Sequence, residues 1–304
     1  MTGFKITVPA SSGNVGPGFD CLGCALTLYN HFEVALAEEL RITASGPFAD
    51  RVAKNKTNLV YQSFDQFFVH LGQPKPIVSL HIDVHIPLSR GLGSSATATI
   101  GGLMAGNVMA GSPLSLVEIF QLASVIEGHP DNVAPAVLGG CQLVVGGKGG
   151  EWQLCPVTWH ESFVGITAIP EFELSTAKAR QVLPKEVPLG DAIFNCAHLG
   201  VLLQGLSRGE PDWVKLGLKD KLHQPYRQHL IPAMAEVEAQ ALNYGALGVV
   251  ISGAGPTLLA IGTRSNSDSI GEAMVKAWQK EGINSTYLVL GIDREGTVVT
   301  NLPE

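Results

Sequence analysis

Hydrophobic and polar residues alternate along several short segments of the chain. Phe4, Ile6 and Val8 alternate with polar neighbours, and residues 31–37 and 80–86 repeat the pattern. Successive side chains of a strand point to opposite faces, so this spacing predicts strands that each bury one face. Further strands are predicted at residues 163–169, 247–252, 257–262 and 285–291.

Other segments show the three-to-four-residue spacing of an amphipathic helix. Val60, Phe64 and Phe67 lie on one such stripe. Thr57 or Asn58, just before it, predicts the start of the helix, because the side-chain oxygens of these residue types cap helix N-termini. Further helices are predicted at residues 191–206, 226–242 and 268–281.

A helix is also predicted between residues 112 and 128. We expect Ser112 to cap it, Pro113 to occupy its first turn and Gly128 to lie just past its end. This order follows the preference for a polar cap and proline at helix starts and for glycine after helix ends.

Strands and helices are mixed along the chain without a steady alternation. This order predicts an α+β fold rather than a doubly wound parallel sheet. No G-x-G-x-x-G follows the first strand, so a dinucleotide-binding fold is not indicated. The length of 304 residues predicts two domains, which we place at residues 1–155 and 156–304.

The composition narrows the class of protein. Hydrophobic residues make up 45% of the chain and charged residues 15%, which is typical of a globular protein. The net charge of −7 argues against binding to nucleic acid or to anionic membranes. Met1 leads almost directly into a strand pattern, and no apolar run approaches the roughly 18 residues of a membrane span. We therefore expect a cytoplasmic protein that binds neither nucleic acid nor a membrane.

The segment PLSRGLGSSATATIGGLMAGN places five glycines at the start and along the length of a predicted helix. Gly91 and Gly93 lie in a turn whose backbone N–H groups and helix dipole suit a phosphate, and a Cβ there would hold the backbone away from it. From these residues alone, a tight turn before a packed helix is an equally good explanation. Gly101, Gly102 and Gly106 indicate close packing against a neighbouring element.

Glu127 is predicted to lie in the last turn of its helix, where the helix dipole disfavours a carboxylate by about 0.3–1 kcal/mol. A nearby cation would offset this cost, although an exposed glutamate would also tolerate it. A hydroxyl from Ser94 or Ser95 would complete a hard-oxygen site for Mg²⁺, which takes few protein ligands. The glycine-rich segment is not a Walker A loop, because no Gly-Lys-Ser/Thr follows.

Three loops carry polar residues between predicted elements. Asn14 and Asp20 lie in a Gly/Pro-rich loop after the first strand. His129, Asp131 and Asn132 cluster between two apolar elements, where a simple turn would explain them equally well. The segment SGAGPT joins two strand patterns and fits either a hairpin turn or a turn that faces a ligand.

In combination and in this order, the strings PASSGNVGPGFDCLG, PLSRGLGSSATAT and SGAGPT resemble the three motifs of the GHMP kinases. Within that superfamily, the strings EGHPDNVAPAVLGG, STAKARQVLP and QPYRQHLIP resemble the homoserine kinase branch. The resemblance spans nearly the whole chain. It implies a mixed α/β sandwich domain followed by a ferredoxin-like domain, with ATP and substrate in the cleft between them. Members are often homodimers, a state that this sequence neither supports nor excludes.

The resemblance also implies how homoserine, a zwitterion, would be held. Asp20 would bind its ammonium group, and Arg180 and Arg227 would bind its carboxylate through paired hydrogen bonds. In isolation, a solvated position is the commoner role for each of these three residues. The remaining implied substrate-binding residues are Asn14, His129 and Thr176.

The implied reaction is direct transfer of the γ-phosphoryl group of ATP to the substrate hydroxyl, which depends on positioning and charge stabilisation. Mg²⁺ on Ser95 and Glu127 would bridge the phosphates. Asn132, Asp131 and Arg227 would act at the reacting groups, and Asp131 is the carboxylate to test as a base. The implied ATP-binding residues are Asn58, Pro87, Leu88, Ser89, Arg90, Gly91, Leu92, Gly93, Ser94, Ser95 and Ala96.

Two other functions stay open on the sequence. A GHMP kinase for mevalonate or diphosphocytidyl-methylerythritol would share the phosphate-binding motifs, but its substrate has no amino-acid head group for Asp20, Arg180 and Arg227. A non-catalytic binding relative would not need both Glu127 and the Ser94–Ser95 pair. The residues therefore favour a kinase of homoserine that acts in threonine biosynthesis.

Overall fold

The computed structural model describes residues 3–146 and 151–302 of the chain. Its strands are β1 (Gly3–Ser12), β2 (Leu22–Leu36), β3 (Arg41–Ser45), β4 (Val78–Asp83), β5 (Cys141–Val145), β6 (Gln153–Val157), β7 (Phe163–Pro170), β8 (Gly248–Ile251), β9 (Leu258–Thr263), β10 (Ser285–Leu290) and β11 (Val298–Asn301). Its α-helices are α1 (Leu59–Leu71), α2 (Ser94–Met109), α3 (Leu116–Glu127), α4 (Val133–Leu138), α5 (Thr176–Gln181), α6 (Leu189–Arg208), α7 (Pro211–Gly217), α8 (Gln224–Arg227), α9 (Met234–Asn243) and α10 (Ser267–Lys280). Short 3₁₀ helices span Ala49–Arg51 and Gln228–Leu230.

The first lobe is built on a mixed sheet with the strand order β11–β1–β2–β4–β3. β2 is 15 residues long, and its first part also pairs with β5, which in turn pairs with β6. The pair β3–β4 is parallel, whereas β1, β2 and β5 pair with their neighbours in antiparallel fashion. Residues of α1 to α4 share one hydrophobic core with β1, β2 and β4. This lobe is therefore a sheet packed against helices, as the α+β prediction requires.

The second lobe contains a four-stranded antiparallel sheet with the order β10–β7–β9–β8. Along the chain, helices α5 to α9 separate β7 from β8, and α10 separates β9 from β10. This strand–helix–strand–strand–helix–strand arrangement is the ferredoxin-like pattern, enlarged by extra helices in its first crossover. The prediction of an α+β fold with a ferredoxin-like second domain is confirmed.

The two lobes share strands and core near their junction. The boundary placed at residues 155 and 156 falls inside β6, which belongs to the first sheet. The last strand, β11, also returns to the first sheet and pairs with β1, so part of the C-terminal segment completes the first lobe. A second hydrophobic core joins residues of both lobes, among them Leu22 and Leu92 with Leu202 and Leu259.

The later glycines of α2 allow α1 and β2 to approach it closely. A Cβ on Gly102 would lie 2.1 Å from the carbonyl oxygen of Val60 in α1. A Cβ on Gly106 would lie 2.7 Å from the ring of Phe67, and one on Gly101 would lie 2.6 Å from a ring in β2. Real side chains do not tolerate such distances, so the prediction that these glycines serve close packing is confirmed.

The start of α3 lies three residues beyond its predicted position. Ser115 is the N-cap, and it forms a reciprocal capping box with Glu118. Ser112 instead adopts a positive φ of 60° in the preceding turn. The predicted end is confirmed, because Gly128 adopts the left-handed conformation that closes the helix.

The predicted helix at residues 226–242 is divided in the structure. α8 ends at Arg227, a 3₁₀ turn follows, and α9 starts only at Met234. Pro232 lies between the two helices, where its missing N–H and fixed φ favour an interruption. Its carbonyl accepts a hydrogen bond from Trp278 Nε1 at 2.9 Å, so the interruption is fastened to α10.

Helix α6 is long and apolar enough, by length and composition, to match a membrane span. Its buried residues Leu202 and Leu206 belong to the core shared by the lobes. Buried Asn195, in the same helix, donates to Asp220 Oδ1 at 2.8 Å. Because core helices of globular proteins pass the same test of length and composition, this match is weak evidence for a membrane.

The predicted strand at residues 80–86 ends earlier, at Asp83. The backbone N–H groups of His85 and Ile86 both donate to Asn30 Oδ1, each at 2.9 Å. Asn30 is itself buried in β2, so a side chain of the neighbouring strand fixes the segment that leads into the glycine-rich turn.

Candidate active site

One cavity of about 590 Å³ lies between the lobes and is called the cleft below. It is bordered by the loop after β1, the start of α2, the loop between α3 and α4, the start of α5 and the turn between β8 and β9. A second cavity of about 290 Å³ lies in the first lobe beside α1 and is called the side cavity. Ser89, Ser94 and Ser95 line both cavities, so the two meet at the start of α2.

Most of the predicted site residues line one of these cavities. Those at the cleft are Asn14, Ser89, Gly91, Gly93, Ser94, Ser95, Ala96, Glu127, His129, Asp131, Asn132, Thr176, Arg180 and Arg227. Asn58 and Leu88 line the side cavity. Asp20, Pro87, Arg90 and Leu92 line neither.

The glycine-rich turn places the N-terminus of the 16-residue helix α2 at the cleft. Gly91 and Gly93 adopt φ values of 78° and 70°, which non-glycine residues rarely adopt. A Cβ on Gly91 would lie 2.2 Å from the carbonyl oxygen of Ser252, and one on Gly93 would lie 2.2 Å from Ser11 Oγ. The structural reason for both glycines is therefore backbone conformation and close packing, which differs from the predicted need to let a phosphate approach.

Arg90 turns away from both cavities. Its Nε donates to the carbonyl of Pro170 at 2.9 Å, and a second contact joins its Nη2 to the carbonyl of Glu171. It also lies 3.4 Å from Glu173, which pairs with Arg51 at 2.6 Å. Arg90 therefore ties the glycine-rich turn to the segment between β7 and α5.

Pro87 and Leu92 also point away from the cavities. Pro87 is buried, and Leu92 is fully buried in the core that the two lobes share. These two side chains anchor the glycine-rich turn, whereas Ser89, Ser94 and Ser95 between and after them face the cavities.

Glu127 and Ser95 are brought together as predicted from opposite ends of two helices. Ser95 Oγ, in the first turn of α2, donates to Glu127 Oε1 at 3.1 Å. Thr99, one turn further along α2, donates to the same oxygen at 2.6 Å. The arrangement presents a carboxylate and a hydroxyl at the point where the cavities meet. Within the described part of the chain, no three His, Cys, Asp or Glu side chains converge to form a larger metal site.

His129, Asp131 and Asn132 surround the floor of the cleft. His129 Nδ1 lies 3.0 Å from Asp131 Oδ1, and Asp131 is fully buried. Asn132 Oδ1 accepts from Ser11 Oγ and from the N–H of Gly13, each at 3.2 Å. A Cβ on Gly13 would lie 2.1 Å from Asp131 Oδ2, so glycine is required where the loop after β1 crosses these residues.

The His129–Asp131 pair shifts the pKa values of both groups. Burial raises the pKa of the Asp131 carboxyl, but the hydrogen bond and charge of His129, together with the charge of Arg180, outweigh it and leave that pKa lowered. Burial lowers the pKa of His129, but Asp131 and Glu127 outweigh it and leave that pKa raised. Each partner therefore favours the charged form of the other, and a carboxylate with a lowered pKa is a weak base.

The loop after β1 holds Asn14 and Asp20 in left-handed conformations, with φ values of 57° and 55°. Asn14 is buried, donates through Nδ2 to the carbonyl of Gly253 at 2.9 Å, and accepts from the N–H of Asp20 at 2.8 Å. Strained backbone of this kind persists where surrounding contacts fix it, often at binding sites. The Asn14 side chain thus ties the loop of the first lobe to the turn of the second.

Asp20 and Arg180 form a two-pronged ion pair at the edge of the cleft. The two guanidinium nitrogens of Arg180 lie 2.9 and 2.7 Å from the two carboxylate oxygens of Asp20. The contact raises the pKa of Arg180. Two residues predicted to bind opposite ends of the substrate therefore bind each other in the structure.

Arg227 is buried in the wall of the cleft with only 1% of its surface exposed. Its Nε donates to the carbonyl of Ala179 at 3.2 Å, and its Nη1 donates to the carbonyl of Gly253 at 3.1 Å. Among the described residues, no carboxylate lies within 4.0 Å of its guanidinium. Burial lowers its pKa, and the charge of Arg180 lowers it further.

Asn58 both caps a helix and lines the side cavity. Its Oδ1 accepts from the N–H groups of Val60 and Tyr61, at 2.9 and 3.2 Å, and its Nδ2 donates to the carbonyl of Ala53 at 2.7 Å. Of the two predicted caps for α1, Asn58 is the one the structure uses. Its exposed fraction is only 4%, so its main polar contacts are within the protein.

Sequence reasoning missed several residues at the site. Thr99, which fixes Glu127, lies four residues after Ser95 and thus on the same helix face, a spacing that the sequence displays. Ser175, which lines the cleft, begins the string STAKARQVLP, whereas no local pattern marks Arg51 at the side cavity or Leu174 at the cleft. Phe19 lies beside Arg180 and Arg227 and is visible in the sequence only as the neighbour of Asp20.

The chain matches two family models. Residues 58–140 match the model described as GHMP kinases N terminal domain, and residues 202–280 match the model described as GHMP kinases C terminal. Together with the glycine-rich turn at the cleft and the ferredoxin-like second lobe, these matches define the class of protein. The chain belongs to the GHMP kinases.

Comparison with individual proteins places the chain within this family. It is 51% identical over 298 residues to a homoserine kinase of Nostoc punctiforme, covering 97% of this chain and 98% of that protein. It is 49% identical over 297 residues to a homoserine kinase of a Synechococcus species, covering 97% of each. The crystal structure of homoserine kinase from Cytophaga hutchinsonii superposes with a TM-score of 0.88 at 29% identity, covering 98% of this chain and 97% of that one. The chain is thus a member of the homoserine kinase family.

Proposed function

We propose that this protein transfers the γ-phosphoryl group of ATP to the side-chain hydroxyl of L-homoserine, giving O-phospho-L-homoserine for threonine biosynthesis. Its family membership supports the reaction class. The two cavities that meet at the start of α2 support two ligands, with the nucleotide base in the side cavity and homoserine in the cleft. ATP and homoserine would then approach each other at the N-terminus of α2.

The observation that carries the choice of substrate is the buried Arg227. A buried cation without a carboxylate beside it is costly, because the neutral carbonyls that it contacts compensate only part of its lost hydration. A substrate carboxylate would supply the missing charge, and the planar guanidinium would hold it with two parallel hydrogen bonds. Mevalonate could supply this group, so the ammonium site decides between the substrates.

The ion pair of Asp20 and Arg180 supplies that second criterion. A zwitterion can replace the contact between them with two contacts of its own, its ammonium on Asp20 and its carboxylate on Arg180. A substrate with only a carboxylate would leave Asp20 without a cation. The pair therefore favours an amino acid over mevalonate.

The phosphate end of the site depends on the glycine-rich turn and on α2. The N-terminus of a helix presents backbone N–H groups and the positive end of the dipole, a combination that binds phosphate. Ser94, Ser95 and Ala96 begin this helix at the cleft. These groups would orient the β- and γ-phosphates and stabilise the charge that develops during transfer.

Ser95 and Glu127 are the residues that would hold Mg²⁺. Both supply hard oxygen ligands, and Ser95 Oγ lies 3.1 Å from Glu127 Oε1. Thr99 donates a second hydrogen bond to the same carboxylate oxygen and so helps to fix its position. Bound to ATP, the metal would neutralise phosphate charge and orient the γ-phosphate for in-line transfer. The position of Glu127 at the C-terminal end of α3, which the helix dipole disfavours, agrees with a nearby cation.

The proposed role of Asp131 and Asn132 is to position other groups around the substrate. The lowered pKa of Asp131 makes it a weak base, and its hydrogen bond orients the ring of His129 toward the substrate. Asn132 Oδ1 is occupied by Ser11 and Gly13, which leaves its amide N–H₂ to donate to a bound ligand. Thr176 and Asn14 would complete the wall around homoserine.

An assay of ADP release with Mg-ATP tests the proposal. The acceptor panel contains L-homoserine, mevalonate and two truncated analogues, 3-aminopropan-1-ol without the carboxylate and 4-hydroxybutyrate without the ammonium group. We expect rapid turnover of L-homoserine alone. Turnover of mevalonate without turnover of homoserine would overturn the proposal, and equal turnover of both analogues with homoserine would refute the zwitterion site.

A further inference from the structure

Phe19 lies where the two arginines of the proposed carboxylate site converge. The guanidinium carbon of Arg227 is 5.0 Å from the centre of its ring, and that of Arg180 is 5.8 Å away. The ring of His223 stacks on Phe19 with 5.2 Å between ring centres and an angle of 23° between planes. One half-buried aromatic ring therefore contacts both guanidinium groups and the ring of His223.

These contacts matter because the two guanidinium groups repel each other. Asp20 compensates the charge of Arg180, whereas the acceptors around Arg227 carry no charge: they are the carbonyls of Ala179 and Gly253 and, at 3.4 Å, His223 Nδ1. The face of an aromatic ring carries partial negative charge and attracts cations within about 6 Å of its centre. Phe19 lies within that distance of both groups and can stabilise their close approach without accepting a proton.

His223 contacts both the ring of Phe19 and the guanidinium of Arg227. His223 is fully buried, its Nε2 lies 2.9 Å from the carbonyl of Gly16, and its Nδ1 lies 3.4 Å from Arg227 Nη1. Asp220, the acidic residue facing His223, lies 3.7 Å from Nε2 and also accepts the backbone N–H of His223. The ring of Phe19 thus rests on a group that is tied to both lobes.

We propose that Phe19 is a positioning residue that holds Arg180 and Arg227 in the arrangement that receives the substrate carboxylate. This inference rests on the proposed function, since it assigns the carboxylate to these arginines. It requires the electron density of the ring face and not just the ring volume. Phe19 acts on the substrate through the arginines and has no part in phosphoryl transfer.

Replacement of Phe19 by mono-, di- and trifluorophenylalanine tests this requirement with little change of shape. Fluorine withdraws charge from the ring face, so each substitution weakens the attraction for the guanidinium groups. We expect the KM for homoserine to rise stepwise, by about tenfold over the series, because cation–π contacts of this kind are worth about one to two kcal/mol. The kcat and the KM for ATP should stay within twofold of the wild-type values.

Substitution of Phe19 by other natural amino acids provides a second measurement. Phe19→Leu removes the ring face and should raise the KM for homoserine about tenfold, whereas Phe19→Tyr keeps the ring and should restore it to within threefold. Phe4→Leu is the matched control, because Phe4 is also half-buried but lies in β1, packed on the core of the first lobe. It should leave both KM values unchanged.

The outcomes distinguish a failure of the proposed function from a failure of the role of Phe19. A wild-type protein that does not phosphorylate homoserine would overturn the proposed function and, with it, the carboxylate role of Phe19. Wild-type turnover of homoserine with an unchanged KM across the fluorinated series would overturn the role of Phe19 alone. Equal rises in the KM for homoserine and for ATP would show a structural effect and would also overturn it.

Discussion

Burying a guanidinium removes much of its hydration, and hydrogen bonds to neutral carbonyls restore only part of that loss. Arg227 is in this situation, with two carbonyl acceptors and the ring of Phe19 around it. Asp20 and Arg180 are the opposite case, since each neutralises the charge of the other. The cleft therefore combines a buried cation that has no carboxylate partner among the described residues with a paired aspartate and arginine at its edge.

Replacing Arg227 by leucine tests the first half of this site. The substitution removes the charge that the carboxylate needs, so we expect kcat/KM for homoserine to fall about 100-fold or more, with the KM for ATP within twofold of wild type. Steady-state ADP release measures both. Arg208→Leu, at the exposed end of α6, is the control and should change neither. Equal losses for homoserine and ATP would show that Arg227 does not bind the carboxylate.

Replacing Asp131 by asparagine tests the buried pair with His129. The folded-state pKa of Asp131 is lowered, so its carboxylate stabilises the fold above its ordinary pKa, and this stabilisation is lost as the pH falls through the lowered value. We therefore expect the variant to have a lower Tm at pH 7, and the difference from wild type to shrink below about pH 4. Thermal unfolding between pH 7 and pH 3 measures it.

A double-mutant cycle of Asp131→Asn with His129→Gln separates the interaction between the two side chains from the contribution that each makes by itself. Because the two side chains contact each other, their effects on Tm at pH 7 should be far from additive. Additive losses at pH 7, or a difference between wild type and Asp131→Asn that grows as the pH falls below about 4, would contradict the assignment.

At the scale of elements, the contact between α1 and α2 depends on the absence of side chains. The backbone of Val60 approaches Gly102 so closely that a Cβ would lie 2.1 Å from its carbonyl oxygen. This contact holds α2 against α1, whereas the start of α2 lies at the cleft. Close helix packing and the proposed phosphate site therefore lie at different parts of one helix.

Gly102→Ala should destabilise the protein because the added methyl group has no room. Overpacking of a well-packed core costs about 1–3 kcal/mol, which exceeds the gain of about 1 kcal/mol from replacing glycine in a helix. Gly200→Ala is the matched control, since Gly200 also lies in a helix but has open space around its Cα. Urea unfolding should show a loss of stability for the first variant and a gain for the second; a gain for both would refute the close contact.

The ends of elements show what local patterns can and cannot decide. Both Ser112 with Pro113 and Ser115 with Glu118 are valid helix-start patterns in the sequence, and they overlap. The structure uses Ser115, because its side chain and that of Glu118 satisfy each other's backbone N–H groups. Likewise, the break between α8 and α9 at Pro232 follows from the missing N–H and fixed φ of proline. The hydrogen bond from Trp278 to the carbonyl of Pro232 is a tertiary contact that the local sequence does not show.

At the scale of the whole molecule, the turn between β8 and β9 fastens the second lobe to the first. Ser252 Oγ donates to the carbonyl of Gly91 at 2.6 Å, and the N–H of Gly253 donates to the carbonyl of Gly13 at 3.0 Å. The shared core and the return of β11 add further links. The contacts of the β8–β9 turn with Gly91 and Gly13, called the seam below, therefore join the lobes at the cleft, and the glycine-rich turn is held by both lobes.

Gly91→Ala should disturb this seam. The new Cβ would lie 2.2 Å from the carbonyl of Ser252, and the residue would also have to keep a φ of 78°. Gly72→Ala isolates the second effect, because Gly72 has a φ of 65° but no neighbour within 4 Å. The control should lose about 1–2 kcal/mol of stability with unchanged kcat, whereas Gly91→Ala should lose more stability and at least tenfold in kcat. Equal effects of the two variants on stability and kcat would contradict the importance of the close contact between Gly91 and Ser252.

The sequence by itself determined the α+β class, the types of those elements with clear hydrophobic spacing and the motifs that face the cleft; it did not predict β3, β11 or the first half of β2. Hydrophobic spacing reports which face of a strand or helix is buried, so β1, the second half of β2, α1 and α10 are predictable from it. The helix-end position of Glu127 and the hydroxyls of α2 also predicted a metal site, and the structure places Ser95 Oγ 3.1 Å from Glu127 Oε1.

Tertiary structure alone decided how distant residues meet. Asp20 and Arg180 are 160 positions apart, and nothing in their local sequences shows that they pair. Arg90 and Leu92 lie within the glycine-rich turn, yet Arg90 contacts the end of β7 and the segment after it, and Leu92 packs in the shared core. The physical reason is that periodicity records burial along one element, whereas the direction of a side chain in a loop and the partner that it meets depend on how two lobes pack together.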